Sequence, residues 1–126
     1  MRPSFLLNPP QSTLDRAKRA LLSSVLTPEA TRKMVSSSIP LQDFVGASGK
    51  QKGYTQRAVR LIEVEDELLW LIRVGVLRRE VDGQGITNSF RLTPMGIRIC
   101  EELGFAWQPA PLSEVMYDWL LRRLPY

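Results

Sequence analysis

The chain has 126 residues, a formal net charge of +4, a pI near 9.6, one cysteine and no histidine. That length suits one domain burying about two-thirds of its unfolded surface, and no run approaches the ~18 apolar residues of a membrane span or the pattern of a secretory leader, so a cytoplasmic protein is expected. The lone Cys100 rules out an intramolecular disulfide, and the absence of histidine removes His-based triads, His metal sites and His proton switches.

Residues 1–11 are proline-rich without helical periodicity and read as an extended arm, which Phe5, Leu6 and Leu7 can tack onto the body or a partner. Ser12 or Thr13 then caps a helix reaching about Leu26, with Leu14, Ala17, Leu21, Leu22 and Val25 on its apolar face and Asp15 in the first turn. Thr27-Pro28-Glu29 is a second start signal, a hydroxyl cap followed by proline where no N–H is needed, for a short helix to about Val35. Ser36-Ser37-Ser38 breaks it. Ile39-Pro40-Leu41 suits a short strand confined to a sheet edge, because Pro40 has no N–H to give a ladder, and Leu41–Val45 begins a short helix ending by Gly46.

Gly46-Ala-Ser-Gly-Lys-Gln-Lys-Gly53 reads as a turn-forming loop whose Lys50 and Lys52 can meet a phosphate, but it lacks the G-x-x-x-x-G-K-[ST] spacing of a nucleotide-binding loop. From Tyr54 or Thr55 one helix is expected to run to Val74, with Leu61, Val64, Leu68, Leu71 and Ile72 on one face and Gly75 as its stop. Two strand-like runs, 76–81 and 86–92, flank Asp82-Gly83-Gln84-Gly85, a strong hairpin signal. Thr93-Pro94 opens a further helix that Gly104 ends after Leu103. Beyond a Pro-bounded linker, Leu112–Leu124 forms an amphipathic helix with Leu112, Val115, Met116, Trp119 and Leu120 on one stripe. The chain divides into an arm (1–11), a domain (12–104) and a linker with terminal helix (105–126), and the fold class is α+β, mainly α with a small β-hairpin.

The runs Gly75-Val-Leu-Arg-Arg-Glu80 and Phe90-Arg-Leu-Thr-Pro-Met-Gly96 resemble the wing and the strand-to-helix junction of winged helix-turn-helix proteins of the MarR and PadR type. The resemblance is specific for fold rather than function. It implies a winged helix-turn-helix with an added C-terminal helix, acting on double-stranded DNA as a transcription regulator. Terminal helices commonly make the subunit interface in such proteins, so the apolar stripe of the last helix suits a homodimer, or else packing on its own domain.

Charge distribution favours an anionic partner for the first half. Residues 1–62 carry ten Lys/Arg against three acids, and the remainder seven Arg against ten acids. The candidate DNA contacts are Lys50, Lys52, Thr55, Gln56, Arg57 and Arg60, with Arg78 and Arg91 on the wing: Gln can pair with adenine, Arg with guanine, and Lys/Arg with phosphate. Against this stand Glu63, Glu65, Asp66 and Glu67 on the same expected helix, since carboxylates repel phosphate within the ~8 Å Debye length of physiological salt. The alternative is therefore a winged helix used as a protein–protein interaction module, with Glu63, Glu67 and exposed Trp70 or Trp119 meeting the partner. No enzyme, metal or cofactor is expected, because no nucleophile, base and orienting group occur at a motif spacing.

Overall fold

The computed structural model describes residues 9–123. Phe5, Leu6 and Leu7 of the expected arm, and the expected end of the last helix at Leu124, lie outside the described residues. Within them the chain is α+β, with helices α1 (Gln11–Leu22), α2 (Pro28–Ser36), α3 (Gly46–Gln51), α4 (Leu61–Arg73), α5 (Pro94–Leu103) and α6 (Leu112–Leu121). Strands β1 (Ile39–Pro40), β2 (Leu77–Asp82) and β3 (Gly85–Leu92) form one antiparallel sheet in the order β1-β3-β2. No described helix is long and apolar enough to cross a membrane.

Two helix starts follow from their Thr-Pro pairs. Thr27 accepts the Ala30 N–H at 3.2 Å, and Thr93 accepts the Gly96 N–H at 2.9 Å, while proline occupies the position whose N–H would have no partner. The first helix differs from expectation: it begins at Gln11 after Pro10, without a side-chain cap from Ser12 or Thr13, and stops at Leu22 rather than Leu26. Gly75, with φ at 91°, carries the chain out of α4 in a conformation that L side chains avoid.

The hairpin registers Leu77 with Leu92 and Val81 with Ile86, with a bulge between Arg79 and Val81. Asp82 accepts the Gln84 N–H at 2.7 Å and tightens the tip. Ile39 and Pro40 pair with Phe90 and Ser89 at the sheet edge. The core lies between the helices and the inner face of the sheet, where Leu21, Met34, Phe44, Leu68, Leu71, Phe90, Ile99 and Trp107 are buried. Phe44 meets Phe90 edge to face, with ring centroids 6.3 Å apart.

The segment 41–60 departs from its sequence reading. Leu41–Phe44 is a single 3-10 turn, and the supposed Gly/Lys loop contains helix α3. The expected long helix from Tyr54 is instead an extended connection, with α4 starting only at Leu61. Long-range hydrogen bonds decide this: the Thr27 N–H donates to Tyr54 O at 3.3 Å, the Gln56 N–H to Val25 O at 2.9 Å, and the Gly46 N–H to Val59 O at 2.7 Å. Backbone groups that would close a helix are committed to the α1–α2 connection and to the start of α3 instead.

Candidate functional site

The residues expected to touch DNA do not come together as a free basic face. Thr55 is buried, with its hydroxyl donating to Arg57 O at 2.8 Å. The Gln56 amide donates to Ser24 O at 3.2 Å and Leu26 O at 3.0 Å, so both of its N–H bonds serve the fold rather than a base edge. Arg57 pairs with Glu63 at 2.7 Å, Lys52 with Asp43 at 3.9 Å, and Arg78 and Arg91 each with Glu80 at 3.6 Å. These pairs contribute little to stability, yet each sets an acid beside a base that phosphate would need. Lys50 and Arg60 are exposed and make no ion pair among the described residues.

The face that α4 turns outward carries Leu61, Ile62, Glu65, Asp66, Leu69 and Arg73. Ile62 is 71% exposed and Leu69 49%. Seven residues, or two helical turns, separate these positions, so they form a stripe along the helix with Glu65 and Asp66 on either side. An apolar, acid-flanked stripe is unlike a surface built to enter a DNA groove.

Two of the four residues expected to meet a protein are inside. Glu67 is 9% exposed and Trp70 5%, which corrects their reading as surface contacts. Glu63 is half-buried against Arg57, and Trp119 remains exposed. Glu67 accepts the Val25 N–H at 3.1 Å and is bound by Arg122 from α6. The same guanidinium reaches Asp66 at 3.2 Å and the buried Asp118 at 3.5 Å, and lies 5.6 Å from the centroid of the Trp70 ring. Burial pushes the carboxyls of both Glu67 and Asp118 above their usual range, with Arg122 opposing it; Arg19 and a hydrogen bond from Trp70 also oppose it at Asp118.

This cluster explains the orientation of α6. Its inward face is Val115, Asp118 and Arg122, and its apolar stripe points away from the body. Leu112 is 74% exposed, Met116 59%, Leu120 55% and Trp119 49%. The expectation placed Val115 on that stripe; instead the ion cluster turns Val115 inward with Asp118 and Arg122. Between α4 and α6 run two adjoining grooves. One, about 620 Å³, is lined by Asp66, Leu69, Trp70, Arg73, Arg122 and Arg123. The second, about 400 Å³, extends past Glu63, Val115 and Trp119 to Arg57 and the α1–α2 connection.

Cys100 is buried on α5, where burial pushes its thiol up to about 11 and keeps it un-ionised at neutral pH. Among the described residues, no three His, Cys, Asp or Glu side chains are grouped to hold a metal ion.

The family model of the Npun_F0494-like proteins matches residues 7–122, nearly the whole chain, and the chain belongs to that family. Neither the curated proteins nor the solved structures yield a significant match.

Proposed function

We propose that this protein is a winged helix-turn-helix used as a protein-interaction module, with α4, the helix that would read DNA in a relative of the MarR or PadR type, turned to binding an apolar protein segment. The fold half of the reading is supported by the element order α1-α2-β1-α3-α4-β2-β3-α5-α6, by the sheet order β1-β3-β2, and by the hairpin following α4 directly. The observation that carries the functional half is the outward face of α4, where Leu61, Ile62 and Leu69 alternate with Glu65 and Asp66. Desolvating the leucines and isoleucine drives association, and Glu65, which has no cationic partner among the described residues, disfavours a phosphate backbone.

A transcription regulator is the second reading. Lys50 and Arg60, exposed and unpaired among the described residues, favour it by offering two phosphate contacts near the N-terminus of α4. Fluorescence anisotropy with a labelled mixed-sequence duplex separates the two. The interaction-module reading expects no binding at low or physiological salt. Micromolar binding that weakens with salt at a log–log slope of several units, and that Lys50→Ala with Arg60→Ala diminishes, overturns it.

A further inference from the structure

Helix α6 is docked by charge more than by apolar burial. Of its ten residues Asp118 is buried, Val115 and Leu121 are half-buried, and the other seven stand exposed. Arg122, at the helix end, does the holding: its guanidinium binds Glu67, reaches Asp66 at 3.2 Å and Asp118 at 3.5 Å, and lies over the Trp70 ring. The Trp70 indole in turn hydrogen-bonds Asp118. These groups form a latch between α4 and α6. Upstream, the Ala110 N–H donates to Leu22 O at 2.8 Å and Pro111 opens the helix, so the chain is anchored just before α6 and the helix itself can swing.

The latch is short of positive charge. Three carboxylates meet at Arg122, and from α1 comes Arg19, which faces Asp118 and stacks on Tyr117 with 5.5 Å to the ring centroid. The α1–α2 connection gives Glu67 the Val25 N–H but carries no charged residue, and Glu63 on α4 is already paired with Arg57. Arg73 and Arg123 border the groove from exposed positions, where water and salt screen them. Arg19 and Arg122 thus stand against three carboxylates, two of them buried. Burying a carboxylate without a matching cation is costly, and a bound proton removes that cost. Burial accordingly raises the carboxyls of both Glu67 and Asp118 in spite of Arg122.

We infer that α6 is a proton-gated strap, held on α4 while the latch keeps a proton among its carboxylates and swung off as that proton is lost. The chain has no histidine, so carboxyls out of their usual range are its means of sensing pH near neutrality. Lifting α6 puts Asp118 in water and uncovers Glu67, which returns both towards their ordinary values. Docking therefore takes up protons and weakens as pH climbs. For each proton taken up, the ratio of docked to lifted α6 falls by up to about tenfold per pH unit. Lifting also removes the α6 wall of both grooves and adds Trp70 to the surface beside Leu69. The gate works whether α4 meets a protein or DNA.

The test is a 1H–13C NMR titration of the full chain from about pH 5 to about pH 9, read at carbon-bound protons that do not exchange with water. Trp70, Val115 and Leu121 report on the latch, and the buried Leu71 and Ile99 report on the rest of the fold. With rising pH the first three should move together towards solvent-exposed positions while Leu71 and Ile99 stay put. Glu67→Gln and Asp118→Asn, made singly, should each flatten the titration. Glu114→Gln, on the exposed side of α6, should leave it as in wild type.

The wild-type titration decides even where a variant fails to fold. Latch signals that stay docked across the range overturn the inference, as do signals that lift on acidification. So does movement of Leu71 and Ile99 in step with the latch, since the whole domain would then be loosening. Full pH dependence retained in both Glu67→Gln and Asp118→Asn also overturns it, because the proton would then lie elsewhere.

Discussion

Arg122 is the residue on which most depends. Its guanidinium holds two buried carboxylates, those of Glu67 and Asp118, and is itself nearly buried, with 10% of the side chain exposed. Both acids titrate above their usual range because burial outweighs the attraction of Arg122. For an acid raised in the folded state, the native form binds a proton more readily than the unfolded form. Its contribution to stability is therefore fully present below the unfolded carboxyl range and is lost as pH climbs through the folded value. The urea midpoint should accordingly rise as pH is lowered from 7 towards the carboxyl range, and Glu67→Gln with Asp118→Asn should flatten that dependence. Arg122→Met should cost about 3–5 kcal/mol at neutral pH, the usual result of stranding buried charge, and much less once the acids are protonated. A loss that does not change with pH would show that Arg122 acts through packing on Trp70 rather than as counter-ion.

At the scale of elements, the junction between the hairpin and α5 is held by close backbone approach. A Cβ on Gly96 would lie 2.3 Å from Val76 O, and backbone cannot swing aside as a side-chain end can. Gly96→Ala should therefore push α5 off the sheet and cost about 1–3 kcal/mol by urea denaturation. Gly83→Ala at the hairpin tip, where a Cβ meets nothing within 4 Å, is the control and should leave the midpoint unchanged. Elements of this kind were legible from sequence because their signals are local: Thr27-Pro28, Thr93-Pro94, Asp82-Gly83 and Gly75 each act on residues within a few positions of themselves. The connection from Tyr54 to Arg60 was not, because its hydrogen bonds go to residues near Leu26, and nothing in its own composition forbids a helix. The same reason hid the true state of Glu67. An acid among Glu63, Glu65 and Asp66 looks solvated until Arg122, 55 residues away, is brought against it. Amphipathic periodicity found the apolar stripe of α6 but could not choose its direction, since an ion cluster on the opposite face can hold a helix as firmly as leucines can.

For the whole molecule, that ion cluster means the terminal helix is part of the domain rather than an appendage to residues 12–104. The linker is tied down as well: the Ala110 N–H donates to Leu22 O at 2.8 Å, Arg32 donates to Phe105 O at 2.7 Å, and Trp107 is buried in the core. Unfolding of the intact chain should be a single transition, with tryptophan fluorescence and far-UV circular dichroism coinciding, because Trp70, Trp107 and the α4–α6 latch report on one cooperative unit. A chain ended after Gly104 loses Trp107 from the core and leaves Glu67 buried with no cation. It should be unfolded or far less stable, given that a domain of this size has only about 5–15 kcal/mol in hand. Glu67→Leu distinguishes the two causes. In the intact chain it strands Arg122 beside Asp118 and should destabilise; in the shortened chain it removes an unpaired buried charge and should recover part of the loss. If Glu67→Leu instead lowers the midpoint of both chains alike, Glu67 is not held by α6, and the helix is an independent arm after all.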